Sequence, residues 1–164
     1  MSKLIQVIRQ GKQTKSLFSN IVVTDNFDNM NLSFAVFKNS EFRNCSFINT
    51  KFRDCIFINT TFESCSMENA DFKCINAVNM SLLNNDFKDA NFSNAVISGF
   101  VADCLFENTN FENVRFADCY FCNSNYKDSN MEKSKFIRCD FENIVNMNTS
   151  NSYFSQCRYH SKNV

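Results

Sequence analysis

Apolar side chains recur at every fifth position through most of the chain. Every fifth position is apolar from Val22 to Ile97 and, after one four-residue step, from Val101 to Phe141, and most of these positions hold Phe. A period of five fits neither the 3.6-residue repeat of a helix nor the two-residue alternation of a strand. The pattern therefore predicts short extended segments, each followed by a bend, around one shared core. The phenylalanines predicted to fill this core are Phe37, Phe42, Phe47, Phe52, Phe57, Phe62, Phe72, Phe87, Phe92, Phe106, Phe111, Phe116, Phe121, Phe136 and Phe141.

Two further columns follow the same period. Two residues before each apolar centre there is usually a small residue, and two residues after it there is usually Asn or Asp. Residues two apart on an extended segment point the same way, so the small residue also faces inward. The Asn or Asp stands at the bend, where a short polar side chain tolerates left-handed backbone. These bends explain how a chain with 2 Gly and no Pro can turn so often.

The three columns resemble the pentapeptide-repeat family, whose units read small–x–Leu/Phe–x–x. The resemblance covers about residues 20–143 and is interrupted only at the segment from Ile97 to Val101, where one residue is missing. It implies an all-β fold, a right-handed quadrilateral β-helix, which is a pentapeptide-repeat solenoid with four pentapeptides per coil and about six to seven coils. We expect a kink or a tightened corner at the four-residue step, where Gly99 supplies the space.

Both ends of the chain are less regular than the repeat. Residues 1–19 are predicted to form an N-terminal cap, with a short helix favoured by the spacing of Leu4, Ile5 and Ile8. The solenoid is predicted for residues 20–143. Residues 144–164 are predicted to form an irregular C-terminal coil or cap, in which two resumed units would make a seventh coil. Those units are Ser152 with Phe154 and Cys157 with Tyr159.

No arrangement typical of a catalytic or metal site is found in the sequence. Six of the nine cysteines occupy the small inward column, which favours core packing over disulfides or zinc ligation. Cys119 and Cys122 would point to opposite sides, and His160, the only histidine, lies near the C-terminus. With Gly11 and Gly99 as its only glycines, the chain has no glycine-rich phosphate loop. We therefore predict no catalytic, cofactor-binding or metal-binding residues, no cofactor, and a protein that is not an enzyme.

Charge and cysteine usage indicate the compartment and the class of partner. The 17 Lys+Arg balance the 17 Asp+Glu, so direct nucleic-acid binding gains no support. There is no secretory signal pattern and no apolar stretch of membrane-spanning length. An odd number of cysteines without a signal is typical of free thiols in a reducing compartment. We therefore expect a cytoplasmic protein with no membrane partner.

Outward side chains flank each apolar centre and are unevenly distributed over the four faces. Two adjacent faces, here called A and B, carry many apolar outward residues, while the other two are mostly charged or polar. Large exposed apolar patches usually mark a contact surface, although β-branched residues also simply suit a flat strand face. Face A is centred on Phe37, Phe57, Ala77, Ile97, Phe116 and Phe136, and face B on Val22, Phe42, Phe62, Leu82, Val101, Phe121 and Phe141. The residues assigned to partner binding are Ile56, Ile58, Val78, Leu83, Val96, Phe100, Ala117, Tyr120 and Ile137. Face B is also expected to expose Ile21, Val23, Ala102 and Cys122.

The leading hypothesis is a non-catalytic scaffold for protein–protein interaction with an unidentified partner. Self-association to a homodimer, through an apolar face or the C-terminal coil, is part of this hypothesis. The alternative comes from the resemblance: a DNA mimic that binds or protects DNA gyrase or topoisomerase, like family members linked to quinolone resistance. The balanced charge, and the lack of an inserted loop between residues 22 and 141, argue against this alternative.

Overall fold

The protein is a parallel β-solenoid of about seven turns, as the repeat predicts. The computed structural model describes residues 16–160. Within that range the regular secondary structure consists of β-strands, and all of them belong to one sheet. The helical cap predicted around Leu4, Ile5 and Ile8 lies outside the described residues. The strands are β1 (Leu17–Ser19), β2 (Val22–Val23), β3 (Val36–Arg43), β4 (Ile56–Glu63), β5 (Asn76–Leu83), β6 (Val96–Ala102), β7 (Arg115–Cys122), β8 (Lys135–Ile137), β9 (Asp140–Glu142), β10 (Tyr153–Ser155) and β11 (Arg158–His160).

Each coil pairs in parallel with the next coil along the chain. In β3 and β4, Phe37 lies opposite Phe57 and Phe42 opposite Phe62. Strands β3 to β7 each run across faces A and B, whereas the other two faces pair through single bridges such as Ser46 with Ser66. The extended segments of successive coils therefore stack in parallel and form one continuous sheet along the solenoid.

Stacked aromatic rings fill the interior. On one face Phe52, Phe72, Phe92 and Phe111 form a column with successive ring centroids 4.8, 4.6 and 5.2 Å apart. Rings on neighbouring faces meet edge to face, as for Phe37 and Phe42 at an interplanar angle of 77°. Both arrangements are favoured by the ring quadrupole and add about 0.5–1.5 kcal/mol per pair beyond area burial. All 15 phenylalanines assigned to the core are buried.

The small inward column closes the corners between faces. The Thr50 hydroxyl donates to the Phe27 carbonyl at 2.8 Å, and the Cys55 thiol donates to the Leu32 carbonyl at 3.1 Å. Ser, Thr and Cys therefore satisfy backbone acceptors of the preceding coil as well as filling space.

Nearly every corner has left-handed backbone; the corner between Val23 and Phe27 in the first coil is an exception. In one coil Asn39, Asn44, Asn49 and Asp54 have φ of 49°, 52°, 57° and 56°. The predicted role of Asn and Asp at the bends is therefore confirmed. Some corners use other residues, such as Phe34 with φ of 67°, so the solenoid imposes this conformation even where the residue does not prefer it.

The first coil corrects the predicted register. Val22, predicted as an inward centre, is 71% exposed, while Val23, predicted to point outward, is 7% exposed. Val23 lies opposite Phe42, and Phe18 lies opposite Phe37. In each pair the two residues are separated along the chain by one residue fewer than the length of four pentapeptides. The chain thus takes a second four-residue step between Val23 and Phe27. Strand β1 also shows that the solenoid already includes Leu17–Ser19, inside the segment assigned to the cap.

The step at residues 97–101 is a tightened corner at Gly99, as predicted. Gly99 has φ of 134°, and a Cβ there would lie 2.0 Å from the Met80 carbonyl oxygen. The register between β5 and β6 shifts at this point. A side chain could not be accommodated so close to backbone, which is why this corner needs glycine.

The predicted seventh coil is also present. Phe154 lies opposite Phe136 and Tyr159 opposite Phe141, in both cases two positions closer along the chain than a full coil would place them. Their rings continue the aromatic columns, with centroid separations of 4.7 and 5.0 Å.

Candidate interaction surface

Faces A and B form the most apolar part of the outer surface and meet at one corner. Val78 and Val96 on face A are 50% and 42% exposed, and Phe100 on face B is 37% exposed. Ile56 is also exposed. Leu83, Tyr120, Ile58, Ala117 and Ile137 are half-buried.

The structure brings these residues together in two groups. Val78 lies opposite Ile58 of the preceding coil. Val96 lies opposite Asn76, which is in the same coil of face A as Val78. On face B, Phe100 pairs with Tyr120. Their rings stack at 5.5 Å with an interplanar angle of 3°. The assignment of these residues to partner binding stays a prediction.

The corner between faces A and B carries a polar ladder with a gap. The Asn59 and Asn79 side-chain amides each donate to the Asn of the preceding coil at 3.0 Å, beginning with Asn39. In the next coil Ser98 takes the corner, and its hydroxyl accepts from the Asn79 backbone N–H at 3.2 Å, while Gly99 lies opposite Met80 in the small inward column, so the Asn ladder stops there. It is followed by Asp118, which accepts two bonds from the Arg138 guanidinium at 2.6 and 2.7 Å. In the β6 coil, therefore, only the small Ser98 side chain separates Val96 on face A from Phe100 on face B.

Tyr120 is held by a carboxylate of the following coil. Its hydroxyl donates to Glu142, and this hydrogen bond raises the pKa of Tyr120 to about 12. The bond holds the ring in the plane that stacks on Phe100.

Ala102 corrects the expectation for face B. It was expected to be exposed, yet it is buried. Its neighbours on the face are Leu83 and Cys122, which lie opposite it in the coils before and after. A methyl group between two larger side chains is covered by them, so Ala102 forms the floor of the patch.

Faces A and B carry opposite charge. The charged outward residues of face A are Lys38, Arg115 and Lys135, and none forms an ion pair with another residue of 16–160. Face B carries four carboxylates and two guanidiniums. These charged groups pair with one another within face B. Arg43 forms ion pairs with Glu41 and Glu63, and Arg158 forms one with Asp140.

The other two faces differ in character. Face C is centred on Phe47, Phe87 and their stacked equivalents, and face D on Phe52, Phe72 and theirs. Their outward charges pair between coils, as Lys127 does with Glu107 at 3.1 Å on face C, which lowers the pKa of that glutamate. A large apolar side chain of face C, Leu105, is 51% exposed and stands apart from the patch.

Buried cysteines are the titratable groups that recur most in the interior of residues 16–160. Across residues 16–160 no group of three or more His, Cys, Asp or Glu could hold a metal ion, and no helix could span a membrane. All nine cysteines are free, and burial raises the pKa of the Cys55 and Cys104 thiols to about 12. Such thiols stay protonated at neutral pH and are poor nucleophiles.

One buried polar side chain was missed by the sequence reasoning, and one position of the inward series carries a buried hydroxyl. Asn85 occupies a small inward position, where it accepts from the Cys65 amide and donates to the Phe62 carbonyl, both at 2.9 Å. Tyr126 replaces a phenylalanine of the aromatic column, and its buried hydroxyl has no hydrogen-bond partner among the described residues. Asn85 could have been found as the polar exception in the small column.

A family model and one solved structure, described first, agree with this architecture. The family model for pentapeptide repeats matches residues 26–59 and 103–143, in 8 copies. The solved structure of QnrB1, a plasmid-mediated fluoroquinolone resistance protein, is similar with a TM-score of 0.73 over 91% of this chain and 88% of that one, at 15% identity. HetL, a pentapeptide repeat protein involved in heterocyst differentiation regulation from the cyanobacterium Nostoc sp. strain PCC 7120, aligns over 96% of this chain and 94% of its own, with 8% identity and a TM-score of 0.38. No curated protein sequence matches the chain. The chain therefore carries pentapeptide repeats at residues 26–59 and 103–143 and folds as a parallel β-solenoid of about seven turns.

Proposed function

We propose that the protein is a non-catalytic scaffold that binds proteins, including further copies of itself, through faces A and B. The observation that carries this proposal is the patch of exposed apolar side chains that Val78, Val96 and Phe100 form in two successive coils, β5 and β6, of faces A and B. Burying such a patch contributes about 25 cal/mol per Å² of apolar surface, which drives association without a catalytic group.

The large residues of the patch favour contact over mere strand propensity. β-Branched Val78 and Val96 suit any flat strand face. Phe100 and Tyr120 are not β-branched, and aromatic side chains are enriched at protein interfaces. The Tyr120–Glu142 bond keeps the aromatic pair ordered before a partner arrives, which reduces the entropy lost on binding.

Multi-angle light scattering of the purified protein tests the proposal. We expect an oligomer for the wild type and a monomer for Phe100→Asp, because a carboxylate at the centre of the patch would be desolvated in the contact. Leu105→Asp is the matched control, since it places the same charge on face C. Equal behaviour of the two variants would contradict the assignment to faces A and B.

The C-terminal coil is the other route to self-association. Strands β10 and β11 form the last edge of the sheet among the described residues, and Tyr153 and Tyr159 there are exposed. Unpaired strand edges invite pairing with another chain. An oligomer lost in Tyr159→Asp but kept in Phe100→Asp would assign self-association to this end instead.

Gyrase or topoisomerase binding as a DNA mimic is the second candidate function. Its support is the similarity of fold to QnrB1 over 91% of this chain. The zero net charge argues against it, because imitation of DNA requires a strongly acidic surface. A gyrase supercoiling assay with a quinolone tests it, and protection of supercoiling by the added protein would favour this candidate over the scaffold.

A further inference from the structure

Face A is an outer face without a carboxylate of its own. Within residues 16–160 its outward residues include no Asp or Glu, and its three charged residues are Lys38, Arg115 and Lys135. All three are exposed, and none forms an ion pair with another residue of that range. The carboxylates at its two corners are Asp54 and Asp118, and Asp118 already accepts two bonds from a guanidinium. Face A therefore carries three positive charges that no outward group of the face neutralises.

The segment that precedes β1 has the same charge character. Residues 1–15 contain four Lys or Arg and no Asp or Glu, together with Leu, Ile and Val residues. The chain passes from this segment into Leu17, the first outward residue of face A in the described chain. Seven of the 17 Lys+Arg thus belong to face A or to residues 1–15, and no acidic residue does. The zero net charge of the chain therefore conceals an uneven distribution of charge.

Exposed apolar side chains are concentrated on the same face. Among residues 16–160, eleven large apolar side chains are exposed, and five of them are outward residues of face A, which is one of four faces. These five are Leu17, Ile56, Val78, Val96 and Tyr153. Leu17 and Tyr153 are 65% and 58% exposed and lie at opposite ends of the face. Apolar and cationic residues thus share one strip about 34 Å long, at about 4.8 Å per coil.

Phe34 places an aromatic ring at the edge of face A against its backbone preference. It is the corner residue between faces D and A, with φ of 67°, and it is 59% exposed. Most other left-handed corners hold Asn or Asp, and within residues 16–160 no other holds an aromatic residue. A bulky side chain is unfavourable in this conformation, and strained residues concentrate at functional sites. The exposed ring therefore indicates a contact outside the molecule.

The three cations of face A need a counter-charge from outside the molecule. Self-association at the patch does not supply one, because Arg43, Arg158 and the Tyr120 hydroxyl already bind the carboxylates of face B. A nucleic acid would neutralise the cations but leave the aliphatic side chains unused, since its phosphates attract charge and its bases stack on aromatic rings. A partner that is both anionic and apolar satisfies all of these residues.

We propose that face A docks on a membrane surface that contains anionic lipids. The headgroups of such a surface are negatively charged and lie directly above apolar chains, so a strip of Lys, Arg and aliphatic side chains binds at this boundary. Face A suits a flat partner because its outward residues stack in straight columns, as Val36, Ile56, Asn76 and Val96 do.

Docking at the surface needs no membrane-spanning segment. It therefore replaces the expectation of no membrane partner, which rests on the lack of a signal pattern and of a spanning stretch. Face B is the next face around the rod, so Phe100 and Tyr120 stay open to a protein partner while face A lies on the lipid. The inference thus goes beyond the proposed scaffold and does not depend on self-association.

Co-sedimentation with lipid vesicles tests this inference on the full chain. The comparison is between phosphatidylcholine vesicles and vesicles that also contain about 40% phosphatidylserine, at about 0.15 M salt. Each Lys or Arg near an anionic surface strengthens binding by about fivefold, so the wild type should bind the anionic vesicles about 100-fold more tightly. Lys135→Glu should weaken this binding by about tenfold or more. Lys88→Glu on the opposite face C is the matched control and should stay within about twofold of the wild type.

Phe34→Asn separates binding from folding at the other end of the face. Asn is the usual corner residue, so relief of the unfavourable backbone conformation should raise the midpoint of urea denaturation. Loss of the exposed ring should at the same time weaken binding to the anionic vesicles by about threefold or more. A variant that is more stable but binds less tightly cannot be explained by misfolding. Unchanged vesicle binding would overturn the assignment of Phe34 to the membrane surface.

The outcomes distinguish the membrane from other partners of face A. Absence of binding to the anionic vesicles, or equal loss of binding in Lys135→Glu and Lys88→Glu, would overturn the inference and leave the scaffold proposal intact. Binding of polyglutamate that Lys135→Glu weakens, without binding to either kind of vesicle, would assign face A to an acidic protein segment instead. A wild type that is monomeric in light scattering but binds anionic vesicles through Lys135 would support the membrane surface and overturn self-association.

Discussion

Single residues show why this chain tolerates so many left-handed corners. An L-residue with a bulky side chain loses roughly 1–2 kcal/mol in that conformation, and Asn and Asp lose less because their short side chains bond locally. The Asn ladders add amide bonds between coils, as from Asn49 to Asn29 at 3.1 Å. The corner composition therefore follows from backbone geometry, and it was predictable from the sequence.

The core phenylalanines are expected to dominate stability. Phe57 stacks on Phe37 at 5.2 Å and is fully buried, so Phe57→Ala should cost about 3–5 kcal/mol of unfolding free energy. Lys51→Ala, at an exposed position, should change it by no more than about 0.5 kcal/mol. Urea denaturation measures both, and equal losses would contradict the inward and outward assignment.

Tyr126 should be a destabilising residue. Its ring stacks on Phe106 at 4.8 Å, but its buried hydroxyl has no partner among the described residues. Burial also raises the pKa of Tyr126 well above its usual value. Because an unsatisfied buried hydroxyl costs about 1–3 kcal/mol, Tyr126→Phe should raise the midpoint of urea denaturation. A lower midpoint would show that the hydroxyl has a bonding partner. Tyr120→Phe is the control, and it should not be stabilising because it removes the bond to Glu142.

At the scale of one coil, the four-residue steps show what a repeat can and cannot predict. The step at Gly99 was predicted because the apolar centres on both sides of it are distinct, and the glycine marks the tight corner. The step after Val23 was missed because Val22 and Val23 are identical side chains, and periodicity alone cannot choose between them. In the structure Val23 is the inward residue, and it lies opposite Phe42 of the next coil.

Gly99 should not tolerate a side chain. In Gly99→Ala the new Cβ would meet the Met80 carbonyl oxygen at 2.0 Å in a backbone region that L-residues rarely adopt. We expect a loss of about 3 kcal/mol or more in thermal or urea denaturation. Ser98→Ala, one position earlier, removes only a hydroxyl that bonds to the backbone of Ala77 and Asn79, so it should cost far less. A stable Gly99→Ala protein would contradict the tightened corner.

For the molecule as a whole, the sequence predicts the interior much better than the surface. Inward positions must satisfy packing in every coil, so the requirement repeats and becomes visible as a period. Outward positions such as Val78 and Phe100 obey no such constraint. Their identity is set by no contact that every coil repeats, so it leaves no periodic signal, and the covering of Ala102 by Leu83 and Cys122 depends on neighbours in other coils.

Thiol reactivity should report the closed interior. Cys74 is exposed, Cys122 and Cys157 are half-buried, and the other six cysteines are buried. At pH 8 a thiol with a pKa of about 12, such as Cys55, is almost entirely protonated, so it should not react in the folded protein. With Ellman's reagent we expect at most three reactive thiols before unfolding and nine afterwards. Cys74→Ser should remove the fastest phase, and more than three fast thiols would contradict a packed solenoid.

Hydroxyl-radical footprinting at low and high protein concentration is the most direct test that faces A and B are the binding surface. Labelling of Val96 and Phe100 should fall as the protein is concentrated, while labelling of Leu105 on face C should stay constant. Protection confined to Tyr153 and Tyr159, or no protection at any concentration, would contradict the account.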